Sequence, residues 1–129
     1  MSSRGTRDLK PSKYMKIERN KYYVYILTNY NKTVLYTGMT NDLEQRIIEH
    51  YLERGNQKSF AGKYHAFYLL FYECSNYINN IIAREKEIKG WRRSKKEGLI
   101  NAFNPEWKFL NKELFGKWPP DELTAHRKE

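Results

Sequence analysis

The alternation of apolar and polar residues changes period several times along the chain, and each change marks an element. Tyr22 to Thr28 is rich in aromatic and β-branched residues, which suits a strand buried on both faces. Asn29-Tyr30-Asn31-Lys32 is turn-like. Thr33 to Thr37 reads as a second strand ended by Gly38, so the pair predicts a β-hairpin. The period then becomes helical: Leu43, Ile47, Ile48 and Tyr51 share one face of a helix reaching to about Leu52. Asn41 is its expected cap, with Glu44 at the third helical position. Gly55 to Gly62 reads as a polar loop around Phe60, and His65 to Glu73 as a third strand in which Phe67, Leu69 and Phe71 alternate with their neighbours. Asn79 to about Lys96 predicts one long helix with Ile78, Ile81, Ile82, Ile88 and Trp91 on its apolar stripe, followed by Gly98. Asn104-Pro105 opens a last short helix, because proline suits the first helical turn. The order β-β-α-β-α-α predicts an α+β fold, a small three-stranded sheet with helices packed on it.

Composition narrows this picture. A length of 129 residues supports one domain, and 40% apolar residues are enough for a core. The single cysteine, Cys74, excludes an intrachain disulfide and a cysteine zinc cluster. No stretch approaches the ~20 apolar residues of a membrane helix, and the N-terminus lacks the apolar segment of a secretory signal. These observations predict a reduced, cytoplasmic protein without a membrane role. The formal charge is +9, which points to an anionic partner, most commonly nucleic acid.

The charge is concentrated. Residues 1–20 carry a net +4 and no helical or strand period, and read as a flexible basic arm. Residues 84–96 carry a net +5 through Arg84, Lys86, Lys89, Arg92, Arg93, Lys95 and Lys96. Residues 117–129 read as a polar C-terminal tail, leaving 21–116 as the folded domain.

Several polar residues stand where the pattern asks for something else. Glu85 lies four residues after Ile81 and three before Ile88, in line with the core stripe, where a carboxylate needs a cation. That cation is either a salt-bridge partner, Arg46 or a neighbour of Arg84, or a metal ion at the edge of the core. Arg46 and His50 are an i, i+4 pair on one helical face, suited to clamping a phosphate and relaying a proton. Tyr25 and Tyr36, each placed late in its strand of the hairpin, are candidates to orient a water. His65 and His126 have weaker claims. There is no glycine-rich phosphate loop, His-Glu-x-x-His motif or nucleophile elbow.

Taken together, these residues resemble a known family. Tyr22-Tyr23-Val24-Tyr25-Ile26-Leu27-Thr28-Asn29, Leu35-Tyr36-Thr37-Gly38-Met39-Thr40 and Asp42-Leu43-Glu44-Gln45-Arg46 with His50 resemble the GIY-YIG nucleases, in particular their small stand-alone UvrC-like members. Phe60-Ala61-Gly62-Lys63-Tyr64, Leu70-Phe71-Tyr72-Glu73, Ala83 to Trp91 and Asn104-Pro105-Glu106-Trp107 continue the likeness over about residues 20–115. The first motif departs by reading Tyr23-Val24-Tyr25, the second by Thr37, and Met39 stands where some repair nucleases carry lysine. The resemblance implies a three-stranded antiparallel sheet flanked by helices, and hydrolysis of a nucleic-acid phosphodiester, with a role in repair or recombination. It implies one Mg²⁺ or Mn²⁺ held by Glu85, with Arg46 on the phosphate. Tyr36 becomes the general base, Tyr25 orients the water or the phosphate, His50 assists, and Asn104 supports the site. Lys63, Lys89, Arg92, Arg93, Lys95 and Lys96 are the expected contacts to nucleic acid, DNA first. No base-reading element is visible, so a protein partner for targeting is a further expectation. The competing reading from another class is a nucleic-acid-binding module with this fold and no turnover. A third, a protein-interaction module, rests only on exposed aromatic residues.

Overall fold

The computed structural model describes residues 21–123, so the proposed arm and the end of the tail lie outside the described residues. Strand β1 (Tyr22–Thr28) lies between β2 (Leu35–Thr40) and β3 (Tyr68–Ser75), antiparallel to both. The expected α+β sheet is therefore present, with its most apolar strand at the centre. A central strand is covered on both faces, and Tyr23 through Thr28 are all buried.

Alternation sends Val24 and Ile26 to one face and Tyr23, Tyr25 and Leu27 to the other. The first face is covered by α3 (Ile78–Lys89) and α4 (Arg93–Phe103). Val24, Ile26, Leu70, Phe71, Ile81, Ile88 and Ile100 form one buried cluster there. A register shift between Ile26 and Leu27 leaves Leu70 as the extra residue of β3, so Leu69, Leu70 and Phe71 are all buried. The second face receives α1 (Leu43–Leu52), whose His50 hydrogen-bonds Tyr25. A short α2 (Phe60–Lys63) follows it.

Several expectations need correction. Gly38 does not end β2 but sits inside it, paired with Tyr25. The cap of α1 is Asp42, whose side chain accepts from Gln45 N, rather than Asn41 with Glu44. Its buried positions are Leu43, Ile47, His50 and Tyr51, with Ile48 only half-buried. The loop expected at 55–62 contains α2, capped by Ser59. The third strand begins at Tyr68, three residues later than expected, after His65 at a φ of 56°.

The long helix is two helices. Glycine lowers helix propensity at Gly90, and Arg92 is extended, which re-aims the chain. Arg93 can then donate from Nη1 to Thr33 O at 2.8 Å and from Nη2 to Lys32 O at 3.0 Å, tying α4 to the β1–β2 turn. Gly98 is interior to α4 rather than beyond it. Asn104 closes α4 instead of opening a helix, and α5 (Asn111–Phe115) follows later. Residues 21–109 form one compact unit, and 110–123, which contain α5, belong to a second. Within the second unit, Phe115 packs on Trp118 at 5.1 Å and Lys117 pairs with Asp121 at 2.7 Å.

Candidate active site

The site is built on the Tyr25 face of the sheet. Tyr25 is 1% exposed and lies opposite Gly38. A Cβ at position 38 would stand 2.5 Å from the Tyr25 Oη and 2.6 Å from Cζ. The tyrosine ring therefore occupies the space that a side chain on β2 would take. Tyr36 lies two residues before Gly38, on the same face, with its ring 6.4 Å from that of Tyr25. Tyr36 is early in β2, so the two tyrosines are diagonal neighbours instead of a pair late in both strands.

Helix α1 closes over them. The Tyr25 Oη and His50 Nε2 are 3.1 Å apart, and the His50 ring lies 5.3 Å from that of Tyr36. Burial, with Arg46 alongside, lowers the His50 pKa to about 4, so its imidazole is neutral at pH 7. Arg46 reaches the Tyr25 hydroxyl and also bonds Glu49 at 2.7 Å, and Glu49 holds its pKa up. The Tyr25 hydroxyl and His50 Nε2 share a hydrogen bond whose direction follows the His50 tautomer. Burial pushes the Tyr25 pKa up to about 12, more than the hydrogen bond from Arg46 brings it down. Tyr25 is thus a fixed neutral phenol in the chain Glu49–Arg46–Tyr25–His50.

Glu85 comes from α3. Its side chain is 18% exposed, and its carboxylate pairs with Lys89 Nζ at 3.0 Å. Arg46 does not take that role, since it pairs with Glu49, and Arg84 bridges Glu73 and Glu87. Glu85 is near enough to Tyr25 for its charge to help raise the phenol's pKa. Among the described residues no three His, Cys, Asp or Glu side chains converge to hold a metal. One hard carboxylate suits an ion that keeps most of its waters, as Mg²⁺ does, with Lys89 displaced from it.

The remaining expected residues divide. Asn104 spends its amide on backbone: Nδ2 donates to Leu70 O at 3.1 Å and Lys108 O at 2.9 Å, and Oδ1 accepts from Lys108 N. Arg93 is engaged by the β1–β2 turn and by Glu97 at 2.7 Å. Lys89 lies beside Glu85, Lys95 stands 4.5 Å above the Trp91 ring, and Lys96 has a lowered pKa from partial burial and from Arg93 and Lys89. Arg92 caps α4, and Lys63 ends α2.

Two contributors to this face, Gly38 and Phe60, were not assigned a role from sequence, and neither was one buried residue behind it, Thr37. Gly38 makes room for Tyr25, and only the strand register shows it. Thr37 pairs with Ile26 and so faces away from Tyr25; it is 3% exposed, with a hydroxyl that has no hydrogen-bond partner among the described residues. Phe60 stacks on Tyr36 at 6.2 Å and 20°. The serine cap before an aromatic i, i+4 pair, Phe60 and Tyr64, was the available signal.

Comparison with known proteins bears on the family. A model of the GIY-YIG catalytic domain matches residues 21–98, which include every clustered side chain but not Asn104. A UPF0213 protein of Syntrophus aciditrophicus is 37% identical over 91 residues, spanning 67% of this chain and 97% of its own. One from Haloquadratum walsbyi is 35% identical over 78 residues, 60% of this chain and 84% of its own. One from Bacillus pumilus is 30% identical over 90 residues, 70% of this chain and 89% of its own. No solved structure matches. Among the described residues no helix is long and apolar enough to cross a membrane. A match that spans the sheet and both helices feeding the site is far more specific than the two tyrosine motifs, and the chain belongs to the GIY-YIG nuclease superfamily.

Proposed function

We propose that this chain is a metal-dependent endonuclease that hydrolyses nucleic-acid phosphodiester bonds, DNA first, in repair or recombination within the cytoplasm. The observation that supports it most is the chain Arg46–Tyr25–His50 beneath Tyr36, with the Glu85 charge felt at Tyr25. Glu85 would hold the Mg²⁺ or Mn²⁺, which when bound offsets charge on the phosphate and the leaving oxygen. Arg46 supplies fixed positive charge for the scissile phosphate, and Glu49 keeps it in place. Tyr25, whose pKa burial raises to about 12, stays a neutral phenol near pH 7, orients its neighbours and takes no proton. Neutral His50 fixes the Tyr25 hydroxyl through their shared hydrogen bond. Tyr36, its ring 6.4 Å from that of Tyr25, takes the proton from the attacking water while its own hydroxyl proton passes to solvent. Lys89, Arg92, Lys95 and Lys96 contact phosphates along the departing strand, with Lys63 across the site and Arg93 bracing α4. Such contacts give salt-sensitive and weakly sequence-specific binding, which leaves targeting to a protein partner.

The ion pair of Glu85 with Lys89 favours a second reading, in which the lysine fills the cation position and the domain binds without turnover. Labelled duplex, flap, bubble and single-stranded substrates separate the two. Cleavage that needs Mg²⁺ or Mn²⁺ and stops in EDTA supports the nuclease. Binding in EDTA without cleavage under any of these metals and substrates supports the module.

A further inference from the structure

The aromatic side chains beside the site continue outward. Tyr36 stacks on Phe60, and Phe60 meets Tyr64 at 4.9 Å. Phe60 is 49% exposed and Tyr64 40%. Both are large aromatic groups with a face open to water. Lys63 stands between them in sequence, its Nζ 5.5 Å from the centre of the Tyr64 ring. Beyond Tyr64 opens a cavity of about 420 Å³, within the ~300–1,000 Å³ range of small-ligand clefts. Tyr30, Arg54, His65 and Tyr68 share its lining with Tyr64, and no carboxylate does. The Arg54 guanidinium is fixed over the Tyr51 ring at 3.8 Å. His65 has a left-handed φ of 56°, which turns the chain at the rim of this cavity.

This surface is held in place. The Ser59 Oγ accepts from Gly62 N at 3.0 Å, and Gly55 N donates to Gly62 O at 2.8 Å. A Cβ on Gly62 would stand 2.7 Å from Asn56 O and 2.9 Å from Glu53 O, so glycine lets α2 sit tightly on the preceding turn. Exposed aromatic faces interleaved with cations, on a rigid base, are what an unpaired nucleic-acid strand requires. Bases in a duplex are stacked on one another and present no free face.

We infer that Phe60 and Tyr64 form a stacking subsite for unpaired bases next to the reacting phosphate, continuing into the Tyr64–Arg54 cavity. The inference rests on the nuclease reading for its placement beside a reacting phosphate. It names the substrate class: a strand that is single-stranded on the Phe60 side of the cut. Lys63 and Arg54 neutralise its phosphates, and Tyr36 links the subsite to the chemistry.

The test uses single-stranded oligonucleotides carrying 2-aminopurine, with EDTA present so that no strand is cut. Wild-type protein should quench the fluorophore and bind the single strand more tightly than a blunt duplex of equal length. Phe60→Ala and Tyr64→Ala should each lose quenching and weaken single-strand binding on the order of tenfold. Phe60→Tyr and Tyr64→Phe should keep both, which separates loss of stacking from loss of fold. Lys63→Ala should keep the quenching and lower the salt slope by about 0.7. Quenching and affinity unchanged in both alanine variants, or equal quenching of a duplex, would overturn the inference. No turnover is read, so failure of the nuclease reading leaves this result interpretable, and failure here leaves cleavage at Glu85 open to its own test.

Discussion

Adding one methyl group at Gly38 should damage the protein, while the same change at Gly98 should improve it. At position 38 the new Cβ would stand 2.5 Å from the Tyr25 Oη, 2.6 Å from Cζ and 3.1 Å from a ring carbon. Contacts under 3 Å are not tolerated, and the ring cannot slide away because Tyr25 is 1% exposed and held by His50. Overpacking of this kind costs about 1–3 kcal/mol. A displaced phenol also loses its bond to His50, worth about 1 kcal/mol. Alanine recovers roughly 0.5–1 kcal/mol over glycine in a strand, which offsets only part of this. At Gly98 a Cβ meets nothing within 4 Å on the exposed side of α4, so Gly98→Ala should gain about 0.5–1 kcal/mol from helix propensity. Urea unfolding followed by tryptophan fluorescence and circular dichroism measures both. Gly38→Ala should lower the midpoint by the equivalent of about 1–3 kcal/mol. Tyr25→Phe in the same chain should recover only part, because Cζ still lies 2.6 Å from the new methyl. A Gly38→Ala protein as stable as wild type would refute the claim that the phenol occupies the space of the missing side chain.

Other outcomes follow from the same structure. His50 has its pKa lowered to about 4 from 6.5, so its stabilising contribution is complete above about pH 6.5 and is lost as the pH falls toward 4. Urea midpoints between pH 4 and 7 should fall with acidity at up to about 1.4 kcal/mol per pH unit, and His50→Gln should flatten that slope. Asn104→Ala removes three hydrogen bonds to backbone and should cost about 2–3 kcal/mol by the same assay; lost cleavage at unchanged stability would instead mean direct contact with substrate. Thr37→Val replaces a buried hydroxyl without a partner by a methyl group, and should raise the midpoint by about 1 kcal/mol; a fall would mean that the hydroxyl is satisfied.

The sheet was legible because β1 is a strand buried on both faces, and its aromatic, β-branched run has few other uses. The helices were less so. The apolar stripe Ile81–Ile88–Trp91 passes through Gly90 without a change of period, so periodicity alone could not register the break. Its cause is backbone geometry at Arg92 and the reach of Arg93 to a turn some sixty residues away in sequence. Asn104-Pro105 carries signals for both a helix start and a helix end, and contacts with Leu70 and Lys108 decide for the end. His50 reads as polar, yet it takes the inward place assigned to Ile48 because Tyr25 gives it a partner. Tyr25, Arg46 and His50 were legible from motif order, and the structure brings them together. The pattern called for a cation beside Glu85, and Lys89 on the next turn stands there instead of Arg46. Gly38 could be understood only once the register set it against Tyr25.

The central claim is that Glu85 and Arg46 are parts of one cleaving centre. Nicking of supercoiled plasmid by the whole chain, with Mg²⁺ or Mn²⁺ and with EDTA as control, tests it directly. Wild type should nick only with metal, while Glu85→Ala and Arg46→Ala, with circular dichroism unchanged, should lose nicking by a hundredfold or more, on the order of removing one transition-state stabiliser. Nicking that survives in either variant, or in EDTA, would contradict the account.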